Sequence, residues 1–259
     1  MPLSNQSLDT PQDPARLTLE WSGMTHPGRH RKNNEDAFMA LILEGHQMRY
    51  LGKIGSASLA NADFVFAVCD GMGGQNLGEF ASRRAADKLT TILPASFQLM
   101  ARGMDAGHPD LLLEAFQEIH KDLLVFGATY PECRGMGTTL SLCWFTPGWM
   151  HFGHVGDSRI YYLPKGGALK QLTHDHTQVG WMRRTGRITE REARNHPGRS
   201  SLQQALGAGH QYIDPQLGAV RYEPGDRFLL CTDGLVDGLW DHRIAEYLAR
   251  DDIPFSELA

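Results

Sequence analysis

Between Phe64 and Gly74 the chain reads FVFAVCDGMGG, an apolar run that stops at an aspartate followed by glycine in three of the next four positions. Apolar, β-branched and aromatic residues in unbroken succession are expected to form a buried strand, which delivers Asp70 where the strand runs into a turn. Gly71, Gly73 and Gly74 carry no Cβ, so the backbone can take positive φ and approach a ligand closely. The Gly71 carbonyl can then stand where a side chain would otherwise be, and a hard cation binds such oxygens. Taken alone, the motif also fits a strand capped by a tight turn with Asp as turn former. Its meaning depends on whether acidic residues recur in the same setting.

They do recur. Asp36 opens the apolar run DAFMALIL, Asp157 follows Gly156 at a break in WMHFGHVGDSRIYYL, and Asp233-Gly234 closes RFLLCTDG. Like charges gathered at the rim of a β-core repel unless a cation holds them. The economical reading is a divalent-metal centre of carboxylate, carbonyl and water oxygens. No His/Cys ligand spacing is present, which argues against zinc. Two ions sharing a carboxylate would suit attack of water on a phosphate ester, and Arg31 is the candidate to bind the paired oxygens of a phosphate.

A chain of 259 residues suffices for one large domain, and no linker divides it. The net charge of −5, and a basic run from Arg29 to Lys32 that lies against Glu35 and Asp36, disfavour nucleic acid as a partner. Cys69, Cys133, Cys143 and Cys231 have no C-x-x-C spacing and read as small core residues in a reducing compartment. Residues 1–16 are polar and contain proline, so a disordered tail is expected there, without signal peptide or membrane span. These features predict a cytoplasmic protein.

Order is expected from Leu17, with LTLEWSG alternating as a strand. Glu44 to Asp63 is weakly patterned and reads as a hairpin extension or loop. Leu77 to Ile92 keeps helical spacing, with Pro94 expected to end the helix, and a second helix is predicted from about Pro109 to Gly127. His120 on that helix reads as a core or surface histidine rather than a ligand. From Gly135 three alternating segments, divided by Pro/Gly turns, predict an antiparallel meander, with a bulge or bend turning Asp157 toward one edge. Thr173 to Gly207 reads as an excursion from the sheet, after which the strand ending at Asp233 restores it.

The chain resembles the metal-dependent protein phosphatase family, the type 2C serine/threonine phosphatases, in bacterial form. The resemblance rests on GRHRKNNED (Gly28 to Asp36), VCDGMGG (Val68 to Gly74), GMGTTL (Gly135 to Leu140), GHVGDSR (Gly153 to Arg159), LTHDHT (Leu172 to Thr177) and LLCTDGL (Leu229 to Leu235), in family order. It implies an α+β fold over residues 17–259, a four-layer α-β-β-α sandwich of two antiparallel sheets flanked by helices. It further implies that Asp70 bridges two Mn²⁺ or Mg²⁺ ions. Asp36 and the Gly71 carbonyl would complete one ion, Asp233 would hold the other, and Arg31 would bind the substrate phosphate. Asp157 with Asp233 would match an extra metal position, and residues 173–207 a mobile flap. The implied activity is hydrolysis of phosphoserine and phosphothreonine in proteins, by a monomer opposing a bacterial serine/threonine kinase.

Two departures are visible. Gln75 stands where bacterial members usually carry histidine, and glutamine is a poor proton donor to a leaving group. The family pattern also ends on an Asp-Asn strand that adds a metal ligand, and this strand is expected to be missing, since Asp251 and Asp252 come too soon and lie near Pro254. Both departures favour an alternative, a weakened pseudophosphatase serving as a phosphoprotein-binding or regulatory module. The joint presence of Arg31, Asp36, Asp70, Asp157 and Asp233 favours the enzyme.

Overall fold

The structure, a computed structural model, describes residues 17–29, 31–45, 47–74, 77–101 and 107–258, with backbone alone for 95–101. The tail expected over residues 1–16, and Gln75, lie outside the described residues.

The large sheet is built around β5 (Ala62–Met72). β2 (Asp36–Glu44) pairs antiparallel along one side of it, with β3 (Gln47–Tyr50) beyond. On the other side lie β7 (Leu140–Thr146), β8 (Trp149–Val155) and β12 (Gln216–Arg221), while β6 (Gly137–Thr138) pairs with the last two residues of β5 and carries β11 (Leu206–Gly207) on its outer side. The second layer has two pieces, β1 (Thr18–Ser22) with β4 (Ile54–Ser58), and β10 (Lys170–Gln171), β9 (Arg159–Leu163) and β13 (Arg227–Cys231) in that order.

The period of two along these strands sorts side chains into layers. Met39, Leu41 and Leu43 of β2, Val65, Ala67 and Cys69 of β5, and Leu140, Leu142 and Trp144 of β7 face α1 (Leu77–Ala101) and α2 (His108–Thr129), packing on Ala81, Ala85, Leu89 and Phe116. The alternate residues Ile42, Phe64, Phe66, Cys143 and Phe145 face the second layer and meet Trp21, Ile160, Phe228 and Leu230. On that layer's far side, Tyr161, Leu229 and Cys231 are covered by Val236 and Ile244 of α5 (Asp233–Gly238) and α6 (Asp241–Leu248). The expected α-β-β-α order is found, with the second β layer discontinuous among the described residues.

Several boundaries differ from the sequence reading. Pro94 lies inside α1, which continues to Ala101. An internal proline costs about 3 kcal/mol through its missing N–H and its clash with the preceding turn. Leu89 and Leu93, both fully buried, dock the turns before Pro94 on the sheet, so the helix is already nucleated there and the residues after the proline extend a formed helix. Residues 44–63, expected to be a hairpin extension or loop, supply β3, β4 and the start of β5, because β1 and β2 provide partners for a sequence with little strand signal of its own. The predicted meander divides at Gly156 to Ser158, where the chain leaves the large sheet after β8 and enters the second layer as β9. The excursion after Thr173 contains α3 (Gln178–Arg184) and α4 (Glu190–Arg194), but its last two residues return to the large sheet as β11.

All four cysteines are buried and free, as the sequence reading expected. His120 is a buried histidine that accepts the Gly207 N–H at Nδ1, 3.1 Å away. Among the described residues, no helix is long and apolar enough to cross a membrane.

Candidate metal centre

The register of β2 against β5 sets Asp36 directly opposite Asp70. Side chains directly opposed on one face stand roughly 5 Å apart at Cβ. Both residues have the parity of Ile42, Phe64 and Phe66, so their carboxylates point into the space between the β layers, at its rim. Asp70 is not the end of its strand, since β6 extends β5 to Met72. Its backbone is held from the β6–β7 side. Asp70 N–H donates to Thr139 Oγ1 (2.9 Å), and its carbonyl accepts from Thr139 N–H (2.8 Å) and Thr138 Oγ1 (3.0 Å).

Asp233 and Asp157 reach the same rim from the second layer. β13 ends at Cys231, and Asp233 is the first residue of α5 rather than a strand end. Asp157 occupies the crossing turn between β8 and β9, where Gly156 has φ +117° and a Cβ would fall 2.5 Å from Thr139 Cγ2. Only glycine fits that backbone and that contact. The turn is fastened on three sides. Ser158 Oγ and Thr139 Oγ1 are 2.7 Å apart, and Gly156 exchanges two hydrogen bonds with His176. The buried His154 faces the carbonyls of Gly156 and His174 with Nε2 and the Ser141 hydroxyl with Nδ1, which places its proton on Nε2. Burial holds His154 well below the usual histidine range, in keeping with a neutral ring.

Electrostatics single out Asp70. Burial first, then the charges of Asp233 and Asp36, a hydrogen bond with Asp233 and the charge of Asp157 push its carboxyl up to about 9. Asp157 rises to about 7 through burial and then Asp233 and Asp175. Asp36 is raised by burial, against the opposing hydrogen bond from Thr232. Asp70 therefore feels the charges of the other three, and the Asp233 charge in turn bears on Asp36, Asp70 and Asp157. The neighbouring arginines are already engaged: Arg31 Nη1 pairs with Glu35 at 2.6 Å, and Arg159 grips Asp175 with two hydrogen bonds of 2.9 and 2.6 Å. Among the described residues, no three His, Cys, Asp or Glu side chains converge on one point as a ready ligand set. The cluster is a chain of adjoining pairs about Asp70, and such an arrangement suits ions that each take two protein carboxylates and complete their shells with carbonyl and water oxygen.

Gly71 abuts the first turn of α1. Its N–H donates to the Glu35 carbonyl (3.1 Å), and a Cβ on it would lie 1.8 Å from the Gly78 carbonyl oxygen. A Cβ on Gly78 would in turn lie 2.6 Å from the Gly71 oxygen and 2.8 Å from Glu35 Oε1. Two glycines thus let the helix start sit directly on the strand bearing Asp70. Arg31 exposes 60% of its side chain, close enough that its charge bears on Asp36. Beside the cluster, Asp157, Asp233, Thr177, Arg183, Arg199 and Ser200 line a cavity of about 60 Å³ between α5 and residues 173–207. Asp251 and Asp252 are taken up by Arg227 and Arg250 and add nothing to the centre.

The sequence reading named every acid of the cluster but missed what holds them. Thr138, Thr139 and Ser158 fix the backbone, and Thr232 Oγ1 donates to Asp36 Oδ2 at 2.9 Å. The adjacent threonines in GMGTTL were the available signal. No local pattern marks Thr232, whose partner is 196 residues away.

Comparison with known proteins agrees with this geometry. Residues 53–251 match the family model described as protein phosphatase 2C. The chain is 34% identical over 242 residues to the serine/threonine protein phosphatase PstP of Mycobacterium tuberculosis, covering 92% of this chain and 40% of that protein. It therefore spans less than half the length of that relative. Among solved structures, the serine/threonine phosphatase Stp1 of Staphylococcus aureus superposes with a TM-score of 0.71 at 26% identity, covering 91% of this chain and 86% of the other. The catalytic domain of PstP, solved in complex with two manganese ions, superposes with a TM-score of 0.62 at 31% identity, covering 94% and 86%. Motifs, fold and the carboxylate rim between the β layers all converge with the family match, and the chain belongs to the protein phosphatase 2C family.

Proposed function

We propose that this chain is a metal-dependent protein phosphatase that hydrolyses phosphoserine and phosphothreonine. The observation that carries the reading is Asp36 opposite Asp70 in a desolvated rim, with Asp233 brought in from the other β layer. Asp70 would be shared between two Mn²⁺ or Mg²⁺ ions, with Asp36 and the Gly71 carbonyl on one and Asp233 on the other. Asp157 and Asp233 would serve a further, weaker position. When bound, such ions supply Lewis acidity toward a phosphate ester and a water acidic enough to attack it. The two manganese ions in the solved PstP catalytic domain support this assignment.

The chain's own groups have definable tasks. Arg31 extends from the rim on an exposed side chain, and its guanidinium can exchange Glu35 for the paired oxygens of a phosphate. Thr138 and Thr139 hold Asp70 from behind, so its carboxylate stays aimed between the layers. Residues 173–207 act as a flap over the cavity beside Asp157, tied to the Asp157 turn through His176 and Asp175. The implied substrates are targets of a serine/threonine kinase, met by a monomer in the cytoplasm, where four buried free thiols suit the reducing environment.

Hydrolysis of an aryl phosphate and of a phosphothreonine peptide should require added Mn²⁺ or Mg²⁺. Full activity in excess EDTA would refute the assignment. Asp157→Ala is expected to leave the fold and the tightest metal binding intact while lowering turnover about tenfold, as loss of an outlying ligand does. Calorimetric loss of the tightest site in that variant would show that Asp157 belongs to the main pair of ions.

A further inference from the structure

Thr232 stands at the N-cap of α5, where a threonine hydroxyl ordinarily accepts a backbone N–H of the first turn. Here the side chain makes no such bond. Its Oγ1 is instead turned across the rim and donates to Asp36 Oδ2 at 2.9 Å. The geometry points to Thr232 as a positioning residue for the metal centre, a strut that fixes Asp36 and sets its spacing from Asp233, and this rests on the metal-binding reading above.

Among the described residues, the other contacts that fix Asp36 are at its backbone, where it pairs with Asp70 in the sheet and its N–H donates to Asn34 Oδ1 at 3.2 Å. The Thr232 contact engages the carboxylate itself, at Oδ2. The strut also joins the two β layers. Asp36 opens β2 of the large sheet, whereas Thr232 follows β13 of the second layer and directly precedes Asp233. One hydroxyl thus ties a carboxylate of one layer to the residue next to the one that presents a carboxylate from the other. Partners that orient a metal ligand typically change affinity 10- to 100-fold when removed.

The test compares Thr232→Val, which keeps the shape and removes the donor, with Thr232→Ser, which keeps the donor. Mn²⁺ binding is read by calorimetry and stability by thermal melting in EDTA, beside Asp36→Asn. The expected result is at least a tenfold weaker Mn²⁺ dissociation constant for Thr232→Val, near-normal binding for Thr232→Ser, and metal-free melting within a few degrees for both, since no cap is lost. Unchanged Mn²⁺ affinity in Thr232→Val overturns the proposal, as does a Ser variant as defective as the Val one. So does a Val variant that fails to fold in EDTA while Ser folds, which would make the hydroxyl's role structural. If Asp36→Asn itself binds Mn²⁺ normally, the assignment of Asp36 as a ligand fails instead.

Discussion

Asp70→Asn is expected to remove Mn²⁺-dependent phosphatase activity and, in EDTA, to make the protein more stable above neutral pH. The first effect follows from position. Asp70 feels Asp36, Asp157 and Asp233 together and is the residue proposed to be shared, so a single change disturbs both proposed ions. A loss of about 10³-fold or more in kcat/KM, roughly 4 kcal/mol, is the scale for such a group. The second effect follows from repulsion. In the metal-free protein the Asp70 carboxyl is pushed up to about 9, far above its unfolded value, so the folded state holds that proton more tightly. Folding stability is then fully present below the unfolded pKa near 4 and declines as pH rises toward about 9. Asparagine resembles the protonated acid and should flatten that decline, gaining about 1–2 kcal/mol, or roughly 2–8 °C in Tm, at pH 8. Melting curves at several pH values in EDTA decide the matter. A variant less stable than the parent at pH 8 would mean that the four carboxylates do not strain the metal-free fold.

Among the described glycines, Gly71→Ala should be the most damaging alanine substitution, since its Cβ makes the shortest clash. The added Cβ, rigidly placed by its own backbone, would lie 1.8 Å from the backbone carbonyl oxygen of Gly78, so no side chain can swing away. Relief requires moving the start of α1 off β5, which would disturb the Glu35 carbonyl contact and the strand that carries Asp70. Overpacking of this kind costs about 3 kcal/mol or more, against a total stability of roughly 5–15 kcal/mol for a domain. Gly74→Ala is the control, since its Cβ would meet no atom of the described residues within 4 Å. The expected outcome is a Tm drop of roughly 6–12 °C with weakened Mn²⁺ binding for Gly71→Ala, and at most a degree or two for Gly74→Ala. Equal melting temperatures for the two would show that α1 shifts on β5 at little cost.

These effects also mark what was legible in advance. Asp70, Gly71 and Gly73 stood out because strand composition and glycine are local signals, readable over a dozen residues. Asp36, Asp157 and Asp233 stood out for the same reason, each lying at an apolar run with an abrupt end. The errors occurred where a distant partner overrode local preference. Proline is expected to stop α1 at Pro94, yet the turns before it, docked on the sheet by Leu89 and Leu93, supply a formed helix that continues to Ala101. GKIGSAS has little strand character, yet β1 recruits it as β4.

By itself the sequence determined which groups are present and what each short stretch can do: period two placed the apolar residues on opposite faces of each strand, and the glycines marked close approaches. The fold alone decided that Asp36 stands opposite Asp70 rather than one residue along, which would have turned it to the other face of the sheet. It likewise decided that the chain crosses between layers at Asp157, and that Thr232 reaches Asp36 instead of capping its own helix. Strand register and layer crossing are set by packing between residues far apart in the chain, and no periodicity within a single strand specifies which strand will lie beside it.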